Sequence, residues 1–379
     1  MVEVPRCLLI LTLLIYILLS SCGGSGGGGG SGAGGSTTSQ IGTLFGTDFS
    51  SSQSVYAMRI VSDGTIAPIP GSPFAADGPP VSVTVSASSN LLFVGCIKTS
   101  ISGSLSIFNI LPGGALSSAG PPITSNIVFP STLSAPTAGN FLLVDNANSG
   151  LIFSVDKTTG SLTESSNLQA QGPSAFSPDG NFILSVSGDY LDSYSFNGNS
   201  GSTTLASSLF GFFETIPTQP IVHPSSKFVY VPYSGANIIP PPAPPGGIAG
   251  FALGADGTLT TLPGSPFASG TDFGSSAGTG FSVAVIDPAG AHLYAESQSE
   301  VYGFNIDQNL GELTPIAGAS PFARGTFMTL AFDPSGRYLF VSQPGGVSVY
   351  SVGANGVPVI VPNSPFAMGG EITSLVAIP

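Results

Sequence analysis

The chain contains no tryptophan, two histidines, three cysteines, and seven lysines and arginines among 379 residues. So few imidazoles and thiols nearly exclude a haem site, a Cys/His zinc site or a disulfide framework. Seven cations against 20 carboxylates give a formal charge of −13. That balance argues against a nucleic-acid partner, because phosphate neutralisation needs clustered Lys and Arg. Charged residues are 7% of the chain, against roughly 25% in an average soluble domain. In their place stand 52 Gly, 33 Pro and a hydrophobic fraction of 42%. That fraction suffices for a sizeable core and argues against general disorder.

A membrane-spanning run is also missing. The apolar stretch Leu8 to Leu19 follows Arg6 and is interrupted only by Thr12. As a helix it spans about 18 Å, too short for a ~30 Å hydrocarbon core. It suits the apolar region of an export signal. Leu19-Ser20-Ser21-Cys22 follows at once. This segment resembles the bacterial lipoprotein signal. The resemblance implies a signal peptide over 1–21 and a lipidated Cys22 as the mature N-terminus. Residues 22–40 are then a Gly/Ser-rich tether, a flexible coil reaching about 24 Å. The folded part, 41–379, is expected outside the cytoplasm, held to a membrane through Cys22. Gly23 stands where an Asp would favour the inner membrane, which points to the outer one. Cys96 closes the apolar run Leu91 to Val94 after Gly95 and reads as a small buried hydrophobe.

Internal repetition decides the fold class. Strands such as Val55–Ile60, Leu105–Ile110, Leu191–Phe196, Val301–Ile306 and Val347–Val352 each precede a turn glycine. Those glycines are Gly64, Gly114, Gly160, Gly201, Gly257, Gly311 and Gly356. A second marker lies between them, an apolar strand, a Pro turn and another strand, as in Phe176-Ser177-Pro178-Asp179-Gly180 and Phe332-Asp333-Pro334-Ser335-Gly336. Four short strands, A to D, in about 45 residues define a propeller blade. The first unit lacks a strand A, and Ile372–Ile378 supplies one. The expected fold is all-β: a seven-bladed β-propeller of four antiparallel strands per blade, closed by its C-terminal strand. Ser-Pro-Phe-Ala recurs from Ser72, Ser265, Ser320 and Ser364, at the outer end of strand D. There the Pro blunts an edge strand and the Phe fills space between blades. His223 shares its turn slot with Ser177, Asp287 and Asp333, which points to turn capping.

In such a blade the B–C and D–A connections share one end, and connections on a rigid scaffold carry function. On that end the candidate ligand-binding residues are Asp145, Asn146, Tyr233 and Gln343. The candidate catalytic residues are Glu214, Glu296 and Arg324. Carboxylates there could do acid–base work or hold a divalent cation; no other cofactor is expected. Gly274-x-Ser-x-Gly278 lacks the strand–turn–helix setting of a nucleophile elbow and reads as chance.

The two turn-and-strand segments, continued through Ile183 and Val341, resemble the seven-bladed lactonase-like propellers. That family has 6-phosphogluconolactonase-type and cycloisomerase-type members. The resemblance covers about residues 41–379. Its active members carry Pro-Arg-His before a His-Pro turn, then Asn-Glu after the next strand. Pro217 and His223-Pro224 match. Thr218 and Gln219 occupy the Arg-His positions, and Tyr233 and Ser234 the Asn-Glu positions. The expectation is therefore a binding or interaction module at the cell envelope, for an envelope protein or a small carbohydrate or lactone. The alternative is a lactone or sugar-ester hydrolase.

Overall fold

The computed structural model describes residues 39–379 except 51–52, 87–89, 138, 147–148, 169, 171, 212–214, 236–245, 268–280, 298–299 and 326–328. Cys22, Glu214, the proline-rich stretch before Gly246 and the Gly274–Gly278 motif lie outside the described residues. Every regular element among those described is a β-strand. No helix is long and apolar enough there to cross a membrane.

The strands form seven antiparallel sheets of four strand positions each, and in four of the sheets one edge strand is split into two pieces. Blade 1 combines Gln40–Asp48, Ser54–Val61 and Ile66–Pro68 with the C-terminal strand Ile372–Ile378. Blades 2 to 7 start from innermost strands Pro80–Ser86, Pro130–Ser134, Ser174–Phe176, Thr215–Pro217 with Ile221–Val222, Phe281–Ile286 and Leu330–Phe332. Each innermost strand touches the next, and Ile372–Ile378 touches both the second and the last blade. The ring is therefore closed by the strand expected to close it. Phe45 pairs with Val376 there, and the Thr47 and Thr373 hydroxyls meet at 2.9 Å.

A propeller has no central core. The buried side chains fall into seven clusters, each between two adjacent blades. This explains why the second strand of each blade does not alternate. Phe141–Val144 and Phe228–Val231 are buried at every position, because both faces meet a neighbouring blade. Burying such a side chain is worth about 1.5–3 kcal/mol.

The repeat markers hold neighbouring blades together. The Tyr230 hydroxyl donates to the Gly311 carbonyl of the next blade at 2.7 Å, and that of Tyr294 to Gly356 at 2.5 Å. His223 is buried; its Nε2 lies 2.9 Å from the Gly290 carbonyl of the next blade's turn, and its Nδ1 2.7 Å from Ser225 Oγ. Asp287 accepts from the Ala291 amide and bonds His292 Nδ1 at 2.7 Å. Both histidines thus brace turns.

The Ser-Pro-Phe-Ala segments interrupt the outer strand, and all four Ser-Pro bonds are cis. Ser72, Ser265 and Ser364 Oγ accept from the amides of Ala57, Gly250 and Val349 on strand C. Ser320 lies nine residues after its marker glycine, whereas the others lie eight after theirs. Its position shows the difference: the Gly303 amide turns to the Ala319 carbonyl, and Ser320 Oγ donates to the Gly303 carbonyl.

Candidate functional site

The innermost strand of blade 5 breaks at Thr218-Gln219-Pro220, between Thr215–Pro217 and Ile221–Val222. The Thr218 and Gln219 side chains are therefore on the wall around the propeller axis. Thr218 donates its amide and its hydroxyl to the Pro232 carbonyl, at 2.9 and 3.0 Å. Gln219 Nε2 donates 3.0 Å across to the Ser174 carbonyl on the innermost strand of blade 4. Both side chains are neutral, and both are tied to main-chain oxygens.

Ser174 links this pair to Asp145. The Ser174 amide donates to Asp145 Oδ2 at 2.7 Å, and the Thr132 hydroxyl donates to the same oxygen. Asp145 Oδ1 is buried and has no hydrogen-bond partner among the described residues. The polar chain Asp145–Ser174–Gln219 thus crosses blades 3, 4 and 5 beside the axis. Asp145 is 5% exposed. Burial pushes its carboxyl up to about 7, against the pull of Thr132 and Ser174.

The other expected residues are not on free loops, as the sequence reading had them. Asn146 and Gln343 close second strands, Tyr233 and Glu296 lie within the last three residues of theirs, and Arg324 belongs to a two-residue outer strand. The strands run on to the hairpin ends because their terminal side chains are themselves held. Asn146 Oδ1 accepts from the Val128 and Phe129 amides, and its Nδ2 donates to the Asn126 carbonyl at 2.7 Å. Gln343 Oε1 accepts from Ser348 Oγ at 2.8 Å. Tyr233 is buried, which raises its phenol above the usual range. With Phe210, Phe251 and Pro266 it lines a depression of about 190 Å³ between blades 4 and 5.

Glu296 holds the same place in blade 6 as Asp145 in blade 3, the fifth residue of the second strand, and is also buried. Arg324 lies two strands further out. Its Nε meets Glu300 Oε1 at 3.1 Å, with the side chain 76% exposed. The Tyr302 hydroxyl donates to the other Glu300 oxygen. Among the described residues no three His, Cys, Asp or Glu side chains are grouped to hold a metal ion.

Sequence reasoning passed over two features. Asp48 is buried, and its carboxylate accepts from Ser50 Oγ and from the amides of Ser50, Gly370 and Glu371. It clasps the connection that leads into the closing strand. Thr132 and Ser174 were not distinguishable from other small polar residues. An acid directly after the apolar run of a second strand was the available signal for Asp145 and Glu296.

A closed ring of seven four-stranded blades with polar links around its axis defines the class: a seven-bladed β-propeller. No protein-family model matches the chain, and no curated protein matches it in sequence. Solved structures do. A periplasmic gluconolactonase from Pseudomonas aeruginosa superposes with a TM-score of 0.72 at 17% identity, covering 89% of this chain and 99% of that one. A candidate 6-phosphogluconolactonase from Bacteroides uniformis gives 0.70 at 17% identity, covering 89% and 99%. A protein from Lactobacillus plantarum gives 0.71 at 16% identity, covering 90% and 100%. These are likenesses of fold: the chain shares the propeller architecture of those structures.

Proposed function

We propose that this chain is a binding module of the bacterial cell envelope, anchored through a lipid on Cys22 and built on a lactonase-like scaffold without lactone-opening chemistry. One observation carries the reading. A site of the family's kind uses a cation to hold a developing oxyanion and an imidazole to move a proton. The positions that would supply them hold Thr218 and Gln219, both bonded to carbonyl oxygens. The ligand is an envelope protein or a small carbohydrate or lactone, met by the connections at that end of the ring. The Pseudomonas aeruginosa neighbour is named as periplasmic, which supports an extracytoplasmic place for this one. The lipoprotein-like segment before the ring adds the anchor, with the outer membrane as its site. Labelling with radioactive palmitate tests that part: label lost in Cys22→Ser supports it, and label retained there refutes it.

A lactone or sugar-ester hydrolase is the second reading, favoured by the names of two structural neighbours. Its groups would be Glu214, Glu296 and Arg324, with a divalent cation as a further aid. The discriminating experiment is hydrolysis of a lactone panel, including 6-phosphogluconolactone, by residues 39–379 with and without EDTA. The binding reading expects no turnover above the uncatalysed rate from folded protein. Turnover that falls at least ~100-fold in Glu296→Gln or Arg324→Ala would establish the hydrolase instead.

A further inference from the structure

Asp145 and Asp48 are both buried carboxyls that fasten one segment to another, and they are satisfied very differently. Asp48 takes four hydrogen bonds over both oxygens. Asp145 takes its two, from Thr132 of its own blade and Ser174 of the next, on Oδ2 alone. Its Oδ1 is sealed from water without a donor among the described residues. Among the described residues no cation offsets it: the ion pairs Lys98–Asp77, His292–Asp287 and Arg324–Glu300 all lie elsewhere. The strands packed on it, Pro130–Ser134, Ser149–Val155, Ser174–Phe176 and Phe182–Ser187, contain no titratable or charged side chain.

We propose that Asp145 is a proton-dependent clasp between blades 3 and 4, closed when its carboxyl is protonated and loosened when it ionises. With a proton on Oδ1 the group is neutral, and Oδ2 still accepts from both strands. Without it, a buried charge remains with one oxygen unsolvated, a costly arrangement. Opening the junction at Ser174 brings that oxygen to water. The same movement releases the Ser174 carbonyl that holds Gln219, so the axial wall of blades 4 and 5 changes with it. On the envelope reading proposed above, the chain meets ambient pH directly and such a clasp responds to the medium.

The direction follows from linkage. The closed carboxyl is raised to about 7, and an exposed aspartate ionises near ~3.9. The closed state therefore binds more protons between those values. Closure is favoured at low pH, weakens as pH rises from about 4 to about 7, and is constant above that. The opening constant should rise on the order of 50–100-fold between pH 5 and pH 8.

Amide hydrogen exchange on residues 39–379 tests this. The exchange rate of the Ser174 amide, divided by that of the Asp48-bound Glu371 amide, should rise by that factor between the two pH values. In Asp145→Asn the ratio should stay flat. An infrared band of a protonated carboxyl, titrating near neutral pH in the unaltered protein, gives a measure that needs no variant. A flat ratio in the unaltered protein, the same rise in Asp145→Asn, or a carboxyl fully ionised at pH 5 would each overturn the clasp.

Discussion

Gly64 and Tyr338 face each other across the seam between the last blade and the first. A Cβ on Gly64 would lie 2.5 Å from Tyr338 Cε1, and the Tyr338 hydroxyl donates to the Ser62 carbonyl at 2.9 Å. The relation recurs at every junction. Gly114, Gly160, Gly201, Gly257, Gly311 and Gly356 lie against Thr43, Leu91, Phe141, Phe182, Phe228 and His292 of the preceding blade. The marker glycines therefore answer to two demands, a positive φ and the close approach of a neighbour.

Adjacent glycines separate those demands. Gly113 and Gly114 have φ near +85° and +88°, but only Gly114 has a neighbour within 4 Å of its would-be Cβ. Gly113→Ala should lose about 1–2 kcal/mol from backbone strain alone. Gly114→Ala should lose a further ~1–3 kcal/mol from overpacking against Thr43 and Ile69. Urea unfolding of both variants measures the difference, and equal losses would refute the packing role.

The four Ser-Pro-Phe-Ala copies should not respond alike. Ser364→Ala leaves the buried Val349 amide without its acceptor and should cost about 1–3 kcal/mol. Ser320→Ala should cost less, since the Gly303 amide keeps its bond to the Ala319 carbonyl. Thermal unfolding of the two variants compares them directly.

Removing residues 371–379 takes away the innermost strand of blade 1 and bares the edge of Gln40–Asp48. It also opens the cluster around Leu44, Met58 and Phe340. An unpaired strand edge beside exposed core invites association. The expected outcome is loss of the cooperative melt and aggregation on size-exclusion chromatography. A monomer with an unchanged melt would mean that the ring does not depend on its closure.

Cys96 is fully buried, and burial pushes its thiol up to about 11. The thiolate is the reactive form. Native protein from residue 39 onward should therefore resist a thiol reagent at pH 8 and react once in urea. Prompt labelling of the folded protein would place a reactive thiol where the fold shows only packing.

Arg324→Ala should change stability by less than about 1 kcal/mol, because its pair with Glu300 is exposed and screened. A much larger loss in thermal unfolding would show that the pair holds the outer strand in place.

The repeat, the number of blades and the closing strand were all legible in the sequence. Each is written locally, in the alternation of a strand, a turn glycine or a Pro turn, and each is repeated. Even the one-residue longer spacing before Ser320 was visible, and it corresponds to a real exchange of hydrogen-bond partners. The site was legible only as a set of positions at one end of the ring. Whether Asn146 faces a ligand or ties down Val128 and Phe129 is not local information. Nor is the difference between Asp48 with four donors and Asp145 with one oxygen unserved among the described residues, since Gly370, Glu371 and Ser174 reach them from distant parts of the chain.

By itself, then, the sequence determined the blade, because four strands and their turns are set by neighbours a few residues apart. Tertiary structure alone decided what each polar side chain does. In a ring, every blade is completed by the next one, and a carboxyl's charge depends on which donors that next blade brings within 3 Å.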